Sequence, residues 1–245
     1  MAFWKTTLAV SVVFACTLGT AVAATAPAAL KETPSLAADV AAKKLPPVTQ
    51  RVRNDADVTN LAANGRKPGK PGGVLRMMLS KEKDIRLLST WGYARLVAWT
   101  PQLELKPDLL KSIDVKDGRI FTMHLRAGHK WSDGQPFTSE DFRYYWQDVA
   151  TNTELSPKGP PADLLNDGEK PKVEIVDPLT VRYSWSKPNS RFLSVLAQSR
   201  DLYIYLPAHY LRQFHEKYAD KAALAAAASQ QKMKSWAQLH NHMDS

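Results

Sequence analysis

The chain has 245 residues, of which 44% are hydrophobic and 23% are charged. These fractions match those of ordinary globular proteins, so the composition excludes a chain that is disordered throughout. The formal net charge is +9, but charges of both signs are interleaved, as at 81–84 (Lys-Glu-Lys-Asp). We therefore interpret the excess as a solvated basic surface and expect no nucleic-acid partner.

The first 23 residues have the pattern of a secretory signal peptide. Lys5 precedes an apolar stretch without charged residues at 6–19, and the sequence Ala-Val-Ala at 21–23 is a small-residue cleavage site. A transmembrane helix is the alternative, but the small polar residues and the cleavage site disfavour it. We expect export to the periplasm with cleavage near Ala23.

The chain has one cysteine, Cys16, which lies inside this signal segment. Lipid attachment at Cys16 is disfavoured because Phe14 is bulky for a lipoprotein site and the site at 21–23 fits better. The mature chain is then expected to have no disulfide, thiol nucleophile or thiolate metal site.

Residues 24–70 are rich in Ala, Pro and Lys and predict a flexible leader with one short helix near Ser35–Lys44. The folded part is expected at 71–245. It should begin with a buried strand at Val74–Leu79, which is a short apolar run after Pro-Gly-Gly. The mixed pattern from Ile85 to Trp99 fits a helix only in part.

Two β-hairpins are predicted. Ile113–Val115 and Arg119–Arg126 are joined through an Asp-Gly pair, the strongest short hairpin signal. In the second strand alternating apolar residues at 121, 123 and 125 indicate one buried face. Val173–Ile175 and Thr180–Trp185 form the other hairpin, which turns at an Asp-Pro pair.

A helix is predicted to begin after Thr138, whose hydroxyl can cap it. Phe137 and Phe142 have the spacing of a hydrophobic staple, and Glu140 and Asp141 lie at the positive end of the helix dipole. One aromatic face is expected to pack inward, formed by Phe142, Tyr145, Trp146 and Val149.

The C-terminal part predicts a helix at Ser190–Gln198 and a strand at Leu202–Leu206. Pro207 suits the first turn of a further helix that runs to about Tyr218. An Ala-rich helix is expected at Lys221–Gln231. From Trp236 onwards no cap or terminator is evident.

Three carboxylates are close in sequence and suggest general acid–base chemistry: Asp133, Glu140 and Asp141. Helix-dipole and turn positions account for all three, so we expect no catalytic residue and no enzyme. An exported hydrolase that uses carboxylates is the alternative hypothesis. Serine-nucleophile, phosphate-loop and dinucleotide motifs are not found, and we expect no cofactor.

Histidine spacing does not favour a metal site, and surface or capping roles are expected for all six: His124, His129, His209, His215, His240 and His242. Among the aromatic residues, Trp91 and Tyr93 flank a glycine in a weakly patterned segment. We take these two as candidates for lining a ligand cleft.

The segment Phe121–Phe142, FTMHLRAGHKWSDGQPFTSEDF, resembles solute-binding protein family 5, the periplasmic oligopeptide-, dipeptide- and nickel-binding type. Leu105–Leu110 upstream, and Val173–Tyr183 and Lys187–Leu193 downstream, match the family in the same order. Lys81–Trp91 departs from it by lacking the usual Leu-Asp-Pro sequence.

The resemblance implies an α/β fold, the first lobe of a type II periplasmic binding protein with an inserted subdomain. Family members are usually much longer, so we expect the second lobe to be missing. The implied function is capture of a peptide-like solute for the permease subunits of an ABC importer. An inactive truncated remnant is a further alternative.

Overall fold

The structure is a computed structural model that describes residues 30–52, 60–70, 72–74, 76–88, 94–198 and 202–244. The strands are β1 Val97–Trp99, β2 Leu105–Pro107, β3 Leu110–Lys116, β4 Ile120–Leu125, β5 Lys172–Asp177 and β6 Thr180–Ser184. The α-helices are α1 Ala37–Ala41, α2 Val48–Arg51, α3 Ser139–Arg143, α4 Phe192–Leu196, α5 Ala208–Leu211, α6 Lys221–Gln230 and α7 Trp236–Met243. Helix α3 continues as a π-helix, Tyr144–Ala150, and 3-10 turns occur at Pro34–Leu36, Ala62–Asn64, Glu82–Leu88, Ala162–Leu164 and Arg212–Phe214.

An antiparallel sheet of four strands, in the order β3-β4-β6-β5, forms the centre of the fold. Both predicted hairpins are confirmed, as β3-β4 and β5-β6. At the first turn Asp117 and Gly118 have φ values of 55° and 62°, as a type I′ turn requires. The Asp-Gly pair therefore sets the register that brings Val115 of β3 opposite Phe121 of β4.

One face of the sheet is buried and the other is polar. The predicted alternation in β4 is confirmed, because Phe121, Met123 and Leu125 are buried while the residues between them are partly exposed. The buried face packs against α3 and α4 in one core. In that core Phe192 of α4 lies 5.0 Å from Phe121 between ring centroids.

The start of α3 has the predicted cap. The Thr138 hydroxyl accepts from the Glu140 N–H at 3.3 Å and from the N–H of Asp141, and the Asp141 carboxylate accepts from the Thr138 N–H at 2.9 Å. The staple rings of Phe137 and Phe142 are 5.7 Å apart. These contacts are local, which is why the sequence pattern predicts them well.

Replacing Thr138 with alanine is expected to lower the free energy of unfolding by about 1 kcal/mol, because the cap hydroxyl is lost. Urea denaturation followed by circular dichroism would measure the change. Thr151→Ala is the matched control, since its hydroxyl bonds carbonyls at the other end of the same helical segment. Equal losses in both variants would contradict the capping role.

Two predicted strands are wrong. The described residues of Val74–Leu79 form no strand, and Val74 and Met78 are 84% and 99% exposed. Leu202–Leu206 is also irregular, although Ile204 is fully buried. Here the Leu206 N–H donates to the Asp141 carbonyl at 3.2 Å, so the segment follows the start of α3 instead of pairing with a strand.

The C-terminal residues build a second, smaller core. The expected helix after Pro207 is shorter than predicted, since α5 ends at Leu211 and a 3-10 turn follows. Helix α7 has a cap that the sequence interpretation missed, because the Ser235 hydroxyl accepts from the Gln238 N–H at 3.2 Å. Helices α6 and α7 pack together through Leu224 and Leu239.

Candidate ligand-binding surface

Trp91 and Tyr93, the predicted cleft residues, lie outside the described residues. The chain is described again from Ala94, which lines a small pocket together with Tyr203 and Tyr205. The pocket volume is about 10 Å³, no more than a single water molecule needs. The described residues therefore provide an open surface at this position and not an enclosed cavity.

Arg95 fixes this surface to the fold. Its Nε atom donates to the carbonyl of Gln198 at 3.0 Å, and its backbone N–H donates to an Asp108 carboxylate oxygen at 3.0 Å. Its carbonyl accepts from the Leu109 N–H at 2.8 Å. Residues near 95 and 198 are thus held beside each other, although they are far apart in sequence.

Tyr203 is the exposed end of an aromatic cluster that comprises Trp131, Phe137, Phe142, Tyr203 and Tyr205. Tyr203 is 47% exposed. Its ring packs edge to face against that of Tyr205, with 5.9 Å between the ring centroids. Tyr205 in turn lies 5.0 Å from Phe137, 5.4 Å from Phe142 and 6.1 Å from Trp131. A rigid exposed ring of this kind can stack against an apolar face of a solute.

The segment Phe121–Phe142 supplies the buried part of the aromatic cluster. Its role is structural, and it also supports the candidate surface. Sequence reasoning placed Tyr203 and Tyr205 in a strand and missed their place in the site. The alternation of Tyr203, buried Ile204 and Tyr205 was the available signal.

Asp141 links the cluster to α5. Its carboxylate accepts hydrogen bonds from the Thr138 N–H, from Trp131 Nε1 at 3.2 Å and from the Ala208 N–H at 3.1 Å. Burial raises the pKa of this carboxyl above its usual value, although the hydrogen bonds oppose the shift. Its burial and its three protein donors give Asp141 a structural role.

The other two candidate carboxylates are also engaged within the fold. Glu140 forms ion pairs with Arg143 at 2.7 Å and with Arg212. Asp133 accepts from the Gln135 N–H at 3.0 Å and pairs with His209 Nε2 at 2.7 Å. These hydrogen bonds, with the backbone bond the larger effect, hold the pKa of Asp133 below its usual value.

A larger groove of about 780 Å³ lies between residues 45–52 and residues 128–134. Two of its charged side chains, Arg51 and Asp133, are engaged within the fold. Arg51 binds Glu32 and the Pro46 carbonyl, and Asp133 is engaged as described above. The groove thus offers fewer free recognition groups than its volume suggests.

The histidines correct one expectation, since two of them are neither at the surface nor caps. His215 and His240 are buried, at 2% and 0% exposure, in the C-terminal core. In the described part of the chain, no three His, Cys, Asp or Glu side chains lie close enough together to hold a metal ion. Within the same residues, no helix is long and apolar enough to cross a bilayer.

The mixed sheet-and-helix fold is that of a solved solute-binding protein. A solved structure described as oligopeptide-binding protein OppA superposes with a TM-score of 0.74, covering 88% of this chain and 33% of that one, at 31% identity. The family described as bacterial extracellular solute-binding proteins, family 5 Middle, matches residues 104–235. The chain belongs to this family, as the sequence resemblance predicts.

Two curated relatives show how much of a family member is present. The periplasmic alpha-galactoside-binding protein of Rhizobium meliloti (strain 1021) is 30% identical over 200 residues, 74% of this chain and 28% of the relative. The periplasmic oligopeptide-binding protein OppA of Escherichia coli (strain K12) is 31% identical over 124 residues, 46% of this chain and 22% of the relative. The chain therefore matches between a fifth and a third of each protein's length.

Proposed function

We propose that this protein is the periplasmic solute-binding component of an ABC importer, which captures peptides or similar small solutes for permease subunits in the inner membrane. The membership in family 5 carries the proposal, and the exposed ring of Tyr203 supports a ligand site at that end of the aromatic cluster. Export would use the signal peptide at 1–23, which the leader at 24–70 follows.

The proposed mechanism is capture on one wall and closure by another. Tyr203 and the backbone around Arg95 would form the first wall, with Trp91 and Tyr93 nearby in the chain. An open surface alone buries little of a solute, so tight binding would need a second wall that closes over it. Affinity for the surface alone is then expected to be weak.

The class of ligand is proposed from chemistry and from the names of relatives. Tyrosine rings stack against aromatic side chains and against the apolar faces of sugar rings. The relatives are named for binding oligopeptides and alpha-galactosides. We place peptides first, because a solved structure described as an oligopeptide-binding protein covers 88% of this chain.

Binding to the Tyr203→Ala variant tests the site. We expect affinity for a pool of mixed tripeptides, or for raffinose as an alpha-galactoside, to fall about tenfold, because one stacking contact is lost. Isothermal titration calorimetry or ligand-detected NMR would measure the change in each variant.

Tyr210→Ala is the matched control. Tyr210 is also an exposed tyrosine, at 36%, but it packs against Phe214 and not in the aromatic cluster. Its replacement should leave affinity unchanged. Equal losses in the two variants would contradict a role for Tyr203, and no binding of either ligand by the unmodified protein would contradict the proposed function.

A further inference from the structure

Tyr144 and His240 meet in the C-terminal core, where both side chains are fully buried. The Tyr144 hydroxyl and His240 Nε2 are 2.7 Å apart, and the two rings are stacked with centroids 6.1 Å apart. Tyr144 belongs to the π-helix at 144–150 and His240 to α7. This pair therefore joins the end of the chain to the long helical segment beside the sheet.

The neighbouring His215 has both ring nitrogens in hydrogen bonds. Its Nδ1 atom accepts from the Lys217 N–H at 3.1 Å, and its Nε2 atom lies 2.9 Å from the Asp148 carbonyl. An accepting Nδ1 requires the proton on Nε2, which then donates to that carbonyl. With both ring nitrogens engaged, His215 lies 5.8 Å from the ring of His240 and gives it no negative partner.

The Asp148 carboxylate is also fully engaged. It accepts from Lys217 Nζ at 2.6 Å, from the Tyr218 hydroxyl at 2.6 Å and from Arg143 at 2.8 Å. Burial alone would raise the pKa of Asp148, but these three donors together hold it below its usual value. Its charge is thus already balanced by two cations.

His240 is the member of this cluster with a free ring nitrogen. Its Nδ1 atom is buried and has no hydrogen-bond partner among the described residues. A proton added there would place a positive charge in the core without an acceptor, which is costly. Burial first, and then the nearby His215, lower the pKa of His240 to about 4, and Asn241 opposes the shift.

Release of the two C-terminal helices would open the small clusters at the C-terminal end but not the core that covers the sheet. Ala237 of α7 packs with Tyr144 in one small cluster, and Leu224 packs with Leu239 in another. The residues that cover the sheet form a separate cluster. We propose that protonation of His240 releases α6 and α7 from Tyr144 in acid, while the four-stranded sheet stays folded.

The charged and titratable groups around His240 determine the sign of the effect. They are Arg143, Tyr144, Asp148, Arg212, His215, Lys217, Tyr218 and Asp244. The pKa of His240 is about 4 when α7 packs against Tyr144, and 6.5 is its ordinary value when the ring is exposed. The packed state is therefore destabilised relative to the released state as pH falls from 6.5 towards 4. Desolvation beside the C-terminal core raises the pKa of the Asp244 carboxyl to about 6, even though the residue as a whole stays exposed to solvent. This shift acts in the opposite direction.

Hydrogen exchange in the Asp244→Asn protein isolates the effect of His240. Between pH 7 and pH 5, protection of amides 236–243, corrected for intrinsic exchange rates, should fall roughly tenfold or more. Amides 120–125 in β4 should remain the better protected segment at both pH values, because release of the helices exposes His240 without opening the sheet. Constant protection of 236–243 between the two pH values, or equal protection of the two segments at pH 5, would overturn the proposal.

Two further measurements keep the test decisive. In Asp244→Asn/His240→Gln, which keeps a hydrogen-bonding group near Tyr144 but cannot titrate, the pH-dependent loss of protection at 236–243 should disappear. An NMR titration of the unmodified protein should show the His240 ring protonating below pH 5. Protonation near pH 6.5 would overturn the proposal even if the double variant does not fold.

Discussion

Replacing Phe142 with alanine is expected to lower the free energy of unfolding by about 4 kcal/mol, because a fully buried ring is lost from a close-packed core. Phe142 contacts Phe137 on one side and Tyr205 on the other, at 5.7 and 5.4 Å between centroids. The remaining rings cannot fill the cavity without moving Tyr205, and Tyr203 would move with it.

Chemical denaturation followed by circular dichroism would measure this loss. Tyr210→Ala serves again as control, because it removes a ring of similar size from the surface and should cost less than about 1 kcal/mol. Similar stability of the two variants would show that the aromatic cluster is not the packed unit described above.

Asp141→Ala should lower the free energy of unfolding by about 3 kcal/mol, since three donors lose their buried acceptor: the Thr138 N–H, Trp131 Nε1 and the Ala208 N–H. Urea denaturation would measure the loss. Glu140→Gln is the matched control at the next residue. Its ion pairs are partly exposed, so we expect a cost of about 1 kcal/mol or less.

The stability difference between the wild type and Asp141→Ala should also depend on pH. Burial raises the pKa of Asp141 above its unfolded value of 3.8, so the native wild type binds a proton more readily than the unfolded chain. The wild type therefore gains stability relative to the variant as pH falls towards 4. A difference that shrinks in acid would contradict the buried position of this carboxyl.

Features set by neighbouring residues could be predicted from the sequence. The Asp117-Gly118 turn, the Thr138 cap and the Phe137–Phe142 staple each depend on a few adjacent residues, and all three are confirmed. The strand predicted at Val74–Leu79 depended on a partner strand, which local sequence cannot supply. An apolar run alone does not distinguish a paired strand from an exposed segment.

The candidate surface and the C-terminal core could not be predicted, because they join distant residues. Tyr144 and His240 are 96 positions apart, and so their contact has no local signature. Tyr203 is exposed beside the aromatic cluster because residues 202–206 run along the start of α3. A strand prediction for this segment does not indicate that path. Ser235 was a missed local signal, since a serine directly before a helical segment is a common cap.

Mapping ligand-induced NMR shifts onto the backbone amides tests the central claim most directly. Mixed tripeptides or raffinose should be titrated to millimolar concentration, since one wall alone binds weakly. We predict that the shifts concentrate at residues 94–96 and 202–205. Shifts confined to the groove at 45–52 and 128–134, or none at any ligand concentration, would contradict the claim that the exposed end of the aromatic cluster binds the solute.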